Sequence, residues 1–132
     1  MKIAKKIKTI LCDDVRQEVG GKMSLMGIYS KDIIVNKVPA ILPFINLVVM
    51  FEEIKEPFAN LFVSVITPKS EPVQVSYPSP PNIEKGKDTN IIIGLSPFRL
   101  NDIGPARFEI RFSEKEKASI VHRFFIKTSD EI

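Results

Sequence analysis

Arg107-Phe108-Glu109-Ile110-Arg111-Phe112 is the stretch whose reading decides the fold. Charged and apolar residues alternate in it without a break. That is the period of a β-strand with one face in a core and one in water. Phe108, Ile110 and Phe112 are expected to face inward, and Arg107, Glu109 and Arg111 outward. Half-buried strands of this kind belong to antiparallel sheets. Turn chemistry precedes the stretch in Asn101-Asp102-Ile103-Gly104-Pro105. A charged turn over residues 113–117 and a closing strand over 119–127 follow it, so the stretch reads as one arm of a hairpin.

The rest of the chain repeats the signal. Residues 5–12 read as a strand, with Ile7, Thr9 and Leu11 on one face and Lys6, Lys8, Ile10 and Cys12 on the other. Residues 13–22 are polar and contain Gly20-Gly21, a dipeptide suited to a tight turn. Residues 23–29 and 33–35 are extended candidates, separated by a turn at Ser30-Lys31-Asp32. Pro39 and Pro43 bracket a connection. Residues 45–51 form a near-continuous apolar run, as expected of a central strand buried on both faces. A charged turn is expected over 52–57, a strand over 61–67, a hairpin turn over 68–72 and an edge strand over 73–77. Pro78, Pro80 and Pro81 open an irregular loop that runs through Lys85-Gly86-Lys87, and residues 90–95 make another apolar strand. No window sustains a helical period, and a short helix is admitted only near residues 52–55 or in the Pro-rich loop.

Strand candidates thus recur about every ten residues with Gly, Pro and Asp between them, the signature of an all-β sandwich or barrel. The expected architecture is a single antiparallel β-sandwich domain over residues 1–132, immunoglobulin-like or C2-like, with about seven to nine strands.

Composition agrees. The 132 residues are 44% hydrophobic and 27% charged, ordinary for a globular protein. One cysteine cannot form an internal disulfide, so no oxidising compartment is needed. The basic start lacks the apolar stretch of a signal peptide. The most apolar region, residues 38–51, is too short for a membrane span and is interrupted by Pro39, Pro43 and Asn46. A cytoplasmic protein is expected. The net charge of +3 owes four positive charges to Lys2, Lys5, Lys6 and Lys8, so the count does not require a basic face on the domain.

Candidate chemistry gathers in Leu11-Cys12-Asp13-Asp14-Val15-Arg16-Gln17-Glu18. Cys12 as a nucleophile would need a base or positive field to make thiolate, and the only histidine is His122. Both lie inside apolar strand patterns, where a core role is expected. Asp13, Asp14 and Glu18 are candidate metal ligands, provided that acids from other loops join them, since calcium takes six or more oxygens. Gly20-Gly21-Lys22 lacks the spacing of a phosphate loop. Lys5, Lys6 and Lys8 with Arg107 and Arg111 are candidates for a basic nucleic-acid patch, but most of the nine Phe fall at core positions rather than as exposed stacking platforms.

The same opening, continued by Lys22-Met23-Ser24-Leu25-Met26-Gly27-Ile28-Tyr29, resembles an uncharacterised family of small bacterial β-sandwich domains. Gly104-Pro105-Ala106-Arg107-Phe108 and the closing strand fit the same pattern. The resemblance implies a bacterial origin and a sandwich, but no activity and no site residues.

The functional expectation is a non-enzymatic protein-interaction or assembly module with no cofactor and no membrane association. Its partner would be another protein or a second copy joined through edge strands. A metal-dependent enzyme using the strand-end carboxylates is one alternative, and a weak nucleic-acid-binding protein is another.

Overall fold

The computed structural model describes residues 3–80, 83–113 and 117–129. These form eleven strands: β1 (Ala4–Gln17), β2 (Met23–Tyr29), β3 (Asp32–Val35), β4 (Ala40–Leu42), β5 (Ile45–Ile54), β6 (Asn60–Ile66), β7 (Val73–Pro78), β8 (Thr89–Leu95), β9 (Phe98–Leu100), β10 (Gly104–Arg111) and β11 (Ile120–Thr128). A four-stranded sheet runs β2-β1-β5-β8, and a five-stranded sheet runs β3-β11-β10-β6-β7. A short pair, β4-β9, joins them. All ladders are antiparallel except β3 with β11.

The chain is an all-β sandwich, as its alternation demands. Leu11, Ile45, Leu47, Val49 and Ile93 from one sheet share a single buried cluster with Leu61, Val63, Phe108, Ile110 and Phe124 from the other. The alternation of the deciding stretch holds in space. Phe108 and Ile110 are fully buried, and the Phe112 ring packs against Phe58 and Phe51 at centroid distances of 4.8 and 6.2 Å. Setting β2, β3, β4 and β9 aside, the order is β1-β5-β8 against β11-β10-β6-β7. This is the A-B-E against G-F-C-C′ order of an immunoglobulin-like sandwich.

Several boundaries differ from the expected ones. Eleven strands form rather than seven to nine, because the three-residue β4 lies in the connection bracketed by Pro39 and Pro43, and β9 pairs with it in a segment too short to show a strand period. Residues 13–17 are strand, because β2 supplies them with ladder partners, and the turn shrinks to a bend closed by Glu18 N–H donating to the Lys22 carbonyl. Glu52 and Glu53 belong to β5, not to a turn or helix. Glu53 takes a φ of 52°, and its N–H donates to Asp88 Oδ1. Ile54 beyond it is fully buried. Among the described residues there is no α-helix. Part of the Pro-rich loop (residues 81 and 82) and part of the turn expected over 113–117 (residues 114–116) lie outside the described residues.

Candidate functional site

The stretch from Cys12 to Tyr29 is a folded-back arm. Cys12 opposite Asn46 is the last rung that β1 shares with β5; beyond it β1 pairs with β2 alone. A straight strand would carry Gln17 about 17 Å past that rung, at roughly 3.4 Å per residue. Instead, Gln17, Glu18, Gly21, Lys22 and Met23 line a groove of about 540 Å³ together with Asp88, Thr89, Asn90 and Ile92 of the β8 region. Asn90 lies opposite Met50, which lies opposite Lys8, nine positions back along β1 from Gln17. The arm therefore doubles back over the outer face of the four-stranded sheet. This explains why Val48 and Cys12, on that outer face by strand parity, are 0% exposed.

Three interactions fix the bend. The Tyr29 hydroxyl donates to Asp13 Oδ1. Asn46 Nδ2 donates to the Asp13 carbonyl at 2.9 Å. Gly27 lies opposite Asp13 with a φ of 68°, and a Cβ there would stand 2.3 Å from Asp13 Oδ2. Only glycine gives both the left-handed backbone and the space for the carboxylate to pass. Burial, together with the hydrogen bond to Asp13, raises the Tyr29 phenol well above its usual range, so it stays a donor.

The candidate metal ligands do not converge. Asp13 is held by Tyr29 on the inward side of β1. Asp14, on the opposite side, accepts from the Val15 N–H at 2.9 Å and lies 4.0 Å from Arg16 Nε. Glu18 accepts from the Ser24 hydroxyl across the arm. Adjacent strand residues point to opposite faces, so Asp13 and Asp14 cannot share one ion from this backbone. Among the described residues, no three His, Cys, Asp or Glu side chains gather as a metal site.

Cys12 is buried, and its Sγ lies 3.6 Å from the Asp14 carbonyl. Burial pushes the thiol pKa up, and the Asp13 and Asp14 charges add to the effect. A thiol in such a setting is a weak nucleophile. Native protein is expected to leave a thiol-reactive dye untouched at neutral pH, and to take up one equivalent once unfolded in guanidinium.

His122 faces the core side of β11, opposite Phe108. Its Nδ1 lies 2.7 Å from Thr9 Oγ1, a polar link between the two sheets. Burial lowers its pKa below the ordinary 6.5. The folded state thus resists protonation more than the unfolded chain does. The contribution is fully present above pH 6.5 and is lost as pH falls through the lowered folded value. Urea midpoints measured from pH 8 to pH 5 are expected to fall more for the natural chain than for His122→Gln. Parallel curves would show that His122 does not titrate on unfolding.

The candidate basic patch is divided. Lys6 and Lys8 line a groove on the outer side of the four-stranded sheet, whereas Arg107 and Arg111 lie on the outer face of the five-stranded sheet. Arg107 is also engaged, its Nε 2.7 Å from Glu109 Oε2.

What sequence reasoning missed is concave surface. A groove of about 600 Å³ is lined by Lys6, Lys8, Met50, Glu52, Asp88 and Asn90. It adjoins the groove under the arm, since Asp88 and Asn90 line both. Together they form an open trough along β8, with apolar Met50, Met23 and Ile92 between charged walls. The only sequence signal was the uncharged run of residues 89–95, which does not announce that its strand lies at a sheet edge.

Searched against curated proteins, the chain matches none. A family model does match, over residues 8–124, and that span takes in the arm, most of the trough and every strand except the start of β1 and the end of β11. The chain belongs to the domain family of unknown function DUF6941.

Proposed function

We propose that this chain is a non-enzymatic protein-interaction module, and that its recognition surface is the trough and the adjoining β8 edge. The observation that carries this reading is the pair of adjoining grooves along β8, a strand whose outer edge has no strand partner among the described residues. Loops and edges presented by a rigid sandwich are where such folds usually bind. The groups that would suggest catalysis have other work. Cys12 is buried under the arm, His122 bridges the sheets, and Asp13 anchors the arm. The metal-dependent alternative finds no support in how Asp13, Asp14 and Glu18 are arranged, and the nucleic-acid alternative finds none in cations split between two faces. A bacterial cytoplasmic setting belongs to the same proposal, supported by the family resemblance and by a single buried thiol.

The test is amide hydrogen exchange on the complex that co-purifies with the full chain from its own cells. Added protection over residues 89–95 and around Lys6 and Lys8 supports the reading. A complex protected only on the outer face of the five-stranded sheet rejects it.

A further inference from the structure

The two large sheets present four edges: β2, β8, β3 and β7. Unpaired edges are hazards that proteins usually blunt with charge, proline, kinks or shortness. β2 is kinked by Gly27 at positive φ. β3 is only four residues long, and its Asp32 pairs with Lys127 at 3.3 Å. β7 ends on Pro78. β8 carries none of these devices. Its seven residues, Thr89-Asn90-Ile91-Ile92-Ile93-Gly94-Leu95, include no charge and no proline. In immunoglobulin sheets a further strand, D, flanks strand E. Here β8 holds the E position, and among the described residues no strand pairs with its other side. Besides the core packing of Ile91 and Ile93, a side chain of the opposite sheet reaches the backbone of that strand: the Tyr77 hydroxyl lies 3.5 Å from the Gly94 carbonyl, at the limit of a hydrogen bond.

We infer that the β8 edge pairs with β8 of a second copy, antiparallel about a two-fold axis at Ile92, so that two four-stranded sheets become one of eight strands. This rests on the interaction reading above and names its partner. The register follows from the pleat. Side chains alternate between faces, so a one-residue slip would turn core-facing positions outward. Ile91, Ile93 and Leu95 pair with Val49, Leu47 and Ile45 of β5, on the core side of the sheet. Only registers that keep like faces together survive, and the one centred on Ile92 overlaps all seven residues. It sets Ile92 against Ile92, Ile91 against Ile93, Asn90 against Gly94 and Thr89 against Leu95. No like charges meet, β-branched residues oppose each other, and the small Gly94 faces the longer Asn90. A two-fold contact is self-complementary in this way. Because Asp88, Asn90 and Ile92 also line the trough, pairing would run the troughs of the two copies together across the joint.

Ile92→Cys tests the register directly. Residues opposed across an antiparallel pair have Cα atoms about 4.5–5.5 Å apart, within disulfide range. Mild oxidation of Ile92→Cys is expected to give a covalent dimer. Asn90→Cys should not cross-link, because its two copies would lie about 14 Å apart along the strands, four residues at roughly 3.4 Å each. The natural Cys12 is buried and does not interfere. Should the Ile92→Cys chain not fold, the unsubstituted chain still decides. Sedimentation equilibrium from micromolar to millimolar protein should show a rise to twice the monomer mass, with exchange protection growing over residues 89–95. A constant monomer mass overturns the inference, as does a dimer protected elsewhere. If β8 is protected only by a different co-purifying protein, self-pairing is wrong while the interaction reading stands.

Discussion

Gly27→Ala is expected to lower stability by about 2.5–5 kcal/mol. About 1–2 of this comes from forcing a Cβ into left-handed backbone. The rest follows because the new methyl would stand where the Asp13 carboxylate passes, 2.3 Å from Oδ2. Asp13 must then move off Tyr29, and a hydrogen bond to a charged group contributes about 1.5–3 kcal/mol. Gly20→Ala is the matched control. Gly20 also has positive φ, at 89°, but a Cβ there meets nothing within 4 Å. It should cost only the backbone part. Urea denaturation of both variants separates the two contributions. Equal losses would mean that the arm relaxes around the methyl and that the Asp13 contact contributes little. Because the arm covers Val48 and Cys12, Gly27→Ala should also speed labelling of the thiol in native conditions.

Phe108→Ala should cost about 3–5 kcal/mol, the usual range for emptying a buried aromatic site. Phe108 is 0% exposed, between Phe124 at 5.9 Å and Phe98 at 6.4 Å centroid separation. It thus links the middle of the five-stranded sheet to the short β4-β9 pair. Against the roughly 5–15 kcal/mol that holds a typical domain together, this loss approaches unfolding at physiological temperature. Thermal melts of Phe108→Ala and Phe108→Leu would grade it, the leucine variant falling well short of the alanine loss. An alanine variant that melts close to the natural chain would show that neighbouring rings collapse into the space.

Most of the architecture was legible because burial imposes a period. Alternation placed Phe108 and Ile110 inward and picked out β6 and β7. The run over residues 45–51 foretold a strand buried on both faces, and Val48 is indeed fully buried on the outer one. What covers Val48 was not legible. The arm turns back through one backbone angle at Gly27 and through contacts to Tyr29 and Asn46 that are distant in sequence. Local pattern carries no record of either. The same limit applied to the site. Asp13 and Asp14 looked like a pair because they are adjacent in sequence, but adjacency on a strand separates side chains. The trough escaped notice for the opposite reason. Lys8, Met50, Asp88 and Asn90 come from three separate segments, and nothing in any one of them marks a concavity. Nor does composition say which strand lies outermost; β5 and β8 are both apolar, yet only one is covered on both sides.

The parallel ladder between β3 and β11 bears on how the molecule is made. Ile33 registers with Ile126, about 93 positions later, and non-local pairings of this kind slow folding. During synthesis on a ribosome the β1–β2 arm is complete early, while β3 emerges with no partner and must wait for β11. The four-stranded sheet can be assembled by the time β8 is extruded, so its uncharged edge is exposed before the second sheet has closed. Crowding of nascent chains at that stage favours contacts between neighbouring copies. Polysomes carrying this message are therefore the place where the edge would first meet another of its kind.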